Sequence, residues 1–176
     1  MAVQEHITTM TVTSVTGGGA TNWTRATRFV DTSNTLTYEV WYGTAGSTGS
    51  SSLYVRYTGT SALLPIEMTV DSFVPPSGSA RWNVLTTGGS SNPRSSSVRW
   101  PTLFSGPARS QMYWGSSEEA SSGFPGGSPG FVYNETNNQN TFLYNPSLSP
   151  WSVNGPVSVE SPSDVSTSVA VIFAAA

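Results

Sequence analysis

The sequence predicts an all-β protein, an antiparallel β-sandwich or jelly roll with long Gly/Ser/Pro-rich loops and with little or no helix. Three observations lead to this fold class. Apolar and polar side chains alternate along several segments, which is typical of strands with one buried face. Turn clusters recur roughly every 8–12 residues, as in sandwiches. No stretch has the 3.6-residue apolar period and the capping residues that predict a long helix.

The clearest alternation lies in residues 36–42. Its predicted inner face is Leu36, Tyr38, Val40 and Tyr42, and its predicted outer face is Thr37, Glu39 and Trp41. The same period of two runs through 53–57, 66–71 and 165–173. Because the last of these strands is apolar on both faces, we expect it to be central in a sheet and covered on both sides, or to pair with a neighbouring subunit.

Shorter apolar runs between turn residues predict the remaining strands. These strands are expected at 6–16, 24–31, 80–86, 97–104, 109–114, 130–135, 141–145 and 156–160. Two Gly/Ser-rich stretches, 87–97 and 115–130, are predicted to be long loops. A chain of 176 residues suits one domain, so we predict a single β-sandwich over residues 1–176, with a hinge at 87–97 as the alternative.

Composition argues against several classes of function. The net charge is −3, and the seven basic residues, all Arg, form no run, so nucleic-acid binding is not expected. The chain has no Cys for disulfides or thiolate metal sites. No stretch approaches the ~20 apolar residues of a membrane span. The first ten residues lack the basic and apolar regions of a secretory signal.

The residues that carry catalysis in most enzymes are sparse here. His6 is the only histidine, and no G-x-S-x-G motif accompanies it, so a Ser–His–acid triad is not expected. The best carboxylate cluster for glycoside hydrolysis is Glu39, Glu67 and Asp71, but ion pairing with Arg25 or Arg56 on an outer face explains it better. We therefore predict a non-enzymatic protein without a cofactor.

One acidic pair in the 115–130 loop raises the question of a metal site. Glu118 and Glu119 would supply carboxylates to Ca²⁺. The sequence lacks the D-x-D-x-D-G spacing of a calcium loop, and a solvated pair is the preferred interpretation. We predict no metal site.

Aromatic side chains near loops are the best candidates for contact with a partner. Those near the 115–130 loop and the last turns are Tyr113, Trp114, Phe124, Phe131, Tyr133, Tyr144 and Trp151. Three roles are open for them: packing in the core, anchoring a protein–protein interface, or stacking on sugar rings, with Trp114 and Trp151 the best placed for stacking.

One part of the chain resembles a known kind of module. After a Gly-rich turn come Trp23, Thr24, Arg25 and Ala26, and a later strand contains Glu39-Val-Trp-Tyr42. The segment Thr11–Gly59 is thereby similar to a β-sandwich element of secreted actinobacterial proteins and of virion or tail proteins of their phages. The C-terminal SVAVIFAAA is similar to the final strand of those modules. The resemblance covers about a third of the chain, implies an extracellular or viral setting, and transfers no catalytic residues.

The sequence therefore predicts a structural protein of a virus particle. A phage head decoration protein, a minor capsid protein or a tail component fits best, assembling with other virion proteins or as a homo-oligomer through loops and terminal strands. The alternative is a secreted carbohydrate-binding or adhesive module that contacts a cell-surface glycan through exposed aromatics. A loop of ~15 residues is uncommon in a compact domain unless it has a function, which favours contact at 115–130.

Overall fold

The computed structural model describes residues 1–46, 51–59, 66–79, 81–108, 110–119, 124–135 and 140–176. It confirms the all-β class, because the described regular elements are strands and their pairings are antiparallel. The strands are β1 (Ala2–Glu5), β2 (Thr11–Gly17), β3 (Ala20–Asp31), β4 (Leu36–Ala45), β5 (Leu53–Thr58), β6 (Ile66–Thr69), β7 (Trp82–Arg99), β8 (Leu103–Phe104), β9 (Gln111–Glu119), β10 (Phe124–Gly127), β11 (Val132–Glu135), β12 (Asn140–Asn145), β13 (Val153–Asn154) and β14 (Val157–Ala175).

The chain divides into two compact units, Met1–Asp71 and Ser72–Ala176. In the first unit, one sheet has the strand order β3-β4-β1-β6, and β2 and β5 form a separate two-stranded sheet. Val3 of β1 and Val12 and Val15 of β2 are buried in one cluster with Met1 and Met10. Side chains of both sheets thus share an apolar core, as the β-sandwich class requires.

The second unit is built on a larger sheet. Its strand order is β10-β14-β9-β12-β11, and β7 also pairs with β14, while β8 and β13 form a two-stranded ribbon. The core cluster contains Val98, Trp100, Leu103, Tyr113, Leu143, Leu148, Ala170 and Ile172. Leu103 brings the β8–β13 ribbon into this core.

The prediction that the last strand is central is confirmed. β14 pairs with β7 over most of its length and with β9 from Ser166 to Ala174. Every side chain from 166 to 173 is buried. Successive residues of a strand point to opposite faces, so both faces of β14 are covered there.

The prediction of a loop at 87–97 is wrong. These residues belong to β7, where Gly88, Gly89 and Ser90 pair with Ala170, Val169 and Ser168 of β14. This stretch lies inside the second unit, and the single domain over 1–176 stays a prediction. The physical reason is that backbone pairing with a buried apolar strand outweighs the weak strand propensity of Gly and Ser.

The prediction of a loop at 115–130 is also wrong in part. Residues up to Glu119 continue β9, and residues 124–127 form β10, while 120–123 lie outside the described residues. Two predicted strands are broken. The stretch 6–16 contains a turn between β1 and β2, and the stretch 97–104 is interrupted between β7 and β8, where Pro101 has no N–H to donate.

Gly17 holds the tight turn that joins β2 to β3, and replacing it should destabilise the protein. Its φ is +80°, and a Cβ there would lie 2.1 Å from the backbone oxygen of Ser52. We expect Gly17→Ala to lower the free energy of unfolding by about 1–3 kcal/mol in urea denaturation. Gly46→Ala is the control, since a Cβ at Gly46 meets nothing within 4 Å. Equal stability of the two variants would contradict this account of the turn.

Candidate contact site

Two of the seven candidate aromatics are core residues. Tyr113 and Trp114 lie in the middle of the large sheet, on opposite faces of β9, and both are buried. The Tyr113 hydroxyl donates a hydrogen bond to the Pro101 carbonyl oxygen at 2.8 Å. Burial raises the pKa of Tyr113 well above its ordinary value, and the nearby Tyr133 raises it further. Of the three roles open to these aromatics, packing in the core is the one that Tyr113 and Trp114 have.

Phe131 and Tyr133 are partly buried and pack against the same core cluster. The Phe131 ring packs edge-on against Tyr113 with ring centroids 5.3 Å apart. The Tyr133 hydroxyl donates to the Val157 carbonyl at 3.0 Å and accepts from the Ser128 N–H at 3.2 Å. Burial raises the pKa of Tyr133, and its hydrogen bonds to Ser128 partly offset this. The phenol thus ties the turn after β10 to β14.

Two further candidates, Tyr144 in β12 and Phe124 in β10, lie on other strands of the same sheet, and Tyr144 is also partly buried. The Tyr144 ring packs edge-on against Phe73 at 5.1 Å. The backbone of Phe124 lies in β10 opposite Val159, and its side chain is outside the part of the chain that the structure describes.

Trp151 is the candidate that presents its ring to solvent. The side chain is 64% exposed, and the ring centroid lies 6.1 Å from that of Phe104, which is also exposed. Phe104 pairs with Val153 across the β8–β13 ribbon, and Val153 is exposed too. We call Phe104, Trp151 and Val153 the Trp151 surface. Three neighbouring apolar side chains on the outside of a ribbon are typical of a contact site.

A buried serine fixes the backbone beneath the Trp151 surface. The Ser105 Oγ lies 2.7 Å from the Ser149 carbonyl oxygen and accepts a hydrogen bond from the Ser152 N–H, also at 2.7 Å. The Trp151 N–H donates to the Gly106 carbonyl oxygen at 3.2 Å. Trp151 itself has φ of 57°, a left-handed conformation that is rare for an aromatic residue. The exposed ring is therefore carried by a turn whose backbone is fixed by several hydrogen bonds.

A shallow polar cleft of about 330 Å³ lies beside this surface. It is bordered by the turn after β10, by the segment that follows β12, and by β13, and Val153 belongs both to its lining and to the Trp151 surface. Ser and Asn side chains supply most of its polar groups.

Sequence reasoning missed a second exposed surface, on β5. Tyr54 is 63% exposed, and Arg56, two residues further along the same face of the strand, is exposed as well. The guanidinium of Arg56 makes no hydrogen bond or ion pair within the described residues. β5 pairs with β2, so Tyr54 and Arg56 lie on a strand at the edge of its two-stranded sheet. We call these two residues the β5 surface. The alternation of residues 53–57 places Tyr54 and Arg56 on one face of the strand and Leu53, Val55 and Tyr57 on the other.

Of the three carboxylates in the predicted cluster, Glu39 has a structural role. This side chain was expected on an outer face, but it is fully buried. The predicted ion pair with Arg25 is present at 3.4 Å, and Arg28 lies 3.5 Å from the other carboxylate oxygen. Glu67 accepts a hydrogen bond from the Gln4 side chain at 3.2 Å. Asp71 lies beyond the end of β6.

The remaining candidates for catalysis and for metal binding include His6 and Glu118. His6 is exposed in the turn after β1. Glu118 was expected in a loop but lies in β9, paired with Asn140 and Thr167. Among the residues that the structure describes, no three His, Cys, Asp or Glu side chains are grouped as metal ligands would be.

The chain is thus an all-β protein of antiparallel sheets, and its exposed aromatics include Tyr54 on the β5 surface and Phe104 and Trp151 on the Trp151 surface. No known family model, curated protein or solved structure matches it. In the described part of the chain, no helix has the length and apolar character needed to cross a membrane.

Proposed function

We propose that this chain is a non-enzymatic structural protein of a virus particle. A phage head decoration, minor capsid or tail component is the role that we favour, with assembly into a homo-oligomer or onto other virion proteins. The observation that carries the contact role is the β5 surface. Tyr and Arg are enriched at the energetic centres of protein interfaces, and the five N–H donors of an exposed Arg without a protein partner are available to the acceptors of another chain.

The position of β5 supports the same proposal. A strand at a sheet edge offers backbone N–H and C=O groups to a further strand, which is a common mode of subunit assembly. β5 also lies within Thr11–Gly59, the segment whose resemblance to virion and secreted modules suggested the setting. The absence of Lys suits a surface that functions by contact, since Lys is depleted at interfaces.

Replacing the two side chains of the β5 surface tests assembly. We expect the wild-type chain to form an oligomer in size-exclusion chromatography with light scattering, and the double variant Tyr54→Ala/Arg56→Ala to weaken that oligomer by tenfold or more, about 1.4 kcal/mol or more. Trp151→Ala is the matched control, an exposed aromatic in the other unit. We expect it to assemble like the wild type.

Antibody labelling of virus particles tests whether the chain is a virion component. Antibodies raised against the chain should decorate virus particles from its source in negative-stain images. A monomer at every concentration, together with unlabelled particles, would overturn the proposed function. Labelled particles with a monomeric chain in solution would support the virion role and overturn self-assembly.

A further inference from the structure

The cleft beside the Trp151 surface is uncharged. Its polar lining consists of Ser128, Asn145, Ser147, Ser149, Ser152 and Asn154, and no Asp, Glu, Lys or Arg is among the residues that border it. A ligand with a formal charge would lose its hydration here without gaining an opposite charge. The cleft therefore favours a neutral, polar ligand.

Several polar groups of the cleft are available to such a ligand. The hydroxyls of Ser147 and Ser149 make no hydrogen bond to the described part of the protein. Asn145 uses its side-chain oxygen to accept from the Ser147 N–H at 3.0 Å, which leaves its amide nitrogen as a donor. Hydroxyl groups both donate and accept, so a partner rich in hydroxyls matches this set.

Other groups in the cleft are already fixed by the protein. The Ser128 Oγ accepts from the Val157 N–H at 3.0 Å, and the Ser152 Oγ lies 2.7 Å from the Ser149 carbonyl oxygen. The amide of Asn154 donates to the Ser152 carbonyl oxygen at 3.1 Å. These bonds hold the walls in place before any ligand arrives, and a pre-formed site loses less entropy on binding.

An aromatic face adjoins these groups. Val153 connects the cleft to Phe104, and the Phe104 ring lies 6.1 Å from the exposed ring of Trp151. The left-handed φ of Trp151 costs on the order of 1–3 kcal/mol, and strain of this kind concentrates where a side chain has a role. An indole offers a flat apolar face and an N–H donor, which complement the C–H face and the hydroxyls of a sugar ring.

We propose that this cleft, together with the adjoining Trp151 surface, binds a neutral saccharide unit of a glycan. Its volume is at the small end of the roughly 300–1,000 Å³ of ligand sites, which suits a mono- or disaccharide. A Pro-rich peptide also packs on aromatic rings, but the cleft is lined mainly by hydroxyl and amide groups, which favours the sugar. The proposal shares with the virion role only the premise that the protein acts by contact.

Titration with neutral sugars tests the site. Lactose, cellobiose, maltose and mannobiose are each added to the full chain, and binding is followed by tryptophan fluorescence and by the indole N–H signals in NMR spectra. We expect at least one of these sugars to shift the Trp151 signal. Trp151→Ala should weaken its binding by about tenfold or more, and Ser149→Ala by about fivefold.

Control variants distinguish sugar binding at the cleft from oligomer formation through the β5 surface. Tyr54→Ala removes an equally exposed aromatic from the other unit, and we expect it to leave sugar binding unchanged. Circular dichroism verifies that each variant is folded, and Trp151→Phe should recover part of the affinity. The proposal is overturned if none of the four sugars binds, if Trp151→Ala binds them as the wild type does, or if a Pro-rich peptide binds at Trp151 while the sugars do not. None of these results bears on oligomer formation through the β5 surface.

Discussion

Trp100→Ala should lower the free energy of unfolding by about 3–5 kcal/mol, the usual cost of emptying a buried aromatic site. Trp100 is buried in the core of the second unit, and its indole N–H donates to the Ser158 hydroxyl at 3.0 Å. A Cβ placed on Gly115 would lie 3.1 Å from the Trp100 ring, so this glycine gives the ring its room against β9. Truncation leaves a cavity in this core and removes the hydrogen bond from the indole to the Ser158 hydroxyl.

Urea denaturation followed by far-UV circular dichroism measures this loss. Trp151→Ala is the control of the same residue type. Its ring is mostly exposed, and we expect a change below about 0.5 kcal/mol. Trp100→Phe should fall between the two because it keeps part of the ring volume and loses the hydrogen bond. Equal stability of the two alanine variants would show that Trp100 is not a core residue.

The fold class was predictable from the sequence because side-chain alternation is a local property. The pattern of residues 36–42 places a strand where β4 is found, and the apolar run before the C-terminus predicts the central β14. Such patterns depend on period and not on the partner strand. Jelly-roll topology depends on how the strands are connected in space, and it stays a prediction.

The Gly/Ser-rich strands were not predictable in the same way. Residues 87–97 have weak strand propensity, and their strand is fixed by pairing with residues of β14 that lie about 60–85 positions further along the chain. The same holds for Ser116 and Ser117 in β9, which lie opposite Val169 and Ser168. Long-range pairing of this kind leaves no periodic signal in the paired strand itself.

The candidate site was predictable only in part. Trp151 was selected because it lies near turns, and it is exposed. Phe104 and Val153 were missed because they lie in strands of two residues, too short to show alternation. Alternation along 53–57 places Tyr57 on the same face as Leu53 and Val55, yet Tyr57 is exposed. A register shift between Val12 and Ser14 lies beside it, and irregularities of this kind redirect side chains.

The burial of the charged side chain of Glu39 was likewise not predictable from alternation. Alternation with Tyr38 and Val40 predicted an outward carboxylate, but β2 covers this face of β4. The Val12 N–H donates to one carboxylate oxygen at 2.9 Å, and the Trp41 indole donates to the other at 3.1 Å. Which strand packs over a face is a tertiary property, and a period of two carries no information about it.

Glu39→Ala should therefore lower the free energy of unfolding by about 2–4 kcal/mol, because hydrogen bonds to a buried carboxylate are lost while the paired Arg25 and Arg28 side chains, 42% and 29% exposed, keep part of their hydration. The carboxylate joins three strands, since it accepts from Val12 of β2 and Trp41 of β4 and pairs with Arg25 and Arg28 of β3. Without it, the buried Val12 N–H loses its carboxylate acceptor, and the partly exposed Arg25 and Arg28 lose their ion-pair partner. Urea denaturation followed by circular dichroism measures the loss.

Arg56→Ala is the matched control in the same unit. It removes a charge that is exposed and unpaired within the described residues, so we expect less than about 0.5 kcal/mol. Glu39→Gln should cost less than Glu39→Ala, because an amide oxygen still accepts one of the two N–H bonds while the charge is lost. If Glu39→Ala were as stable as Arg56→Ala, the buried carboxylate would not be what holds β2 onto β3 and β4. Arg56→Ala is also expected to weaken assembly without weakening the fold, which separates the two roles of charge in this unit.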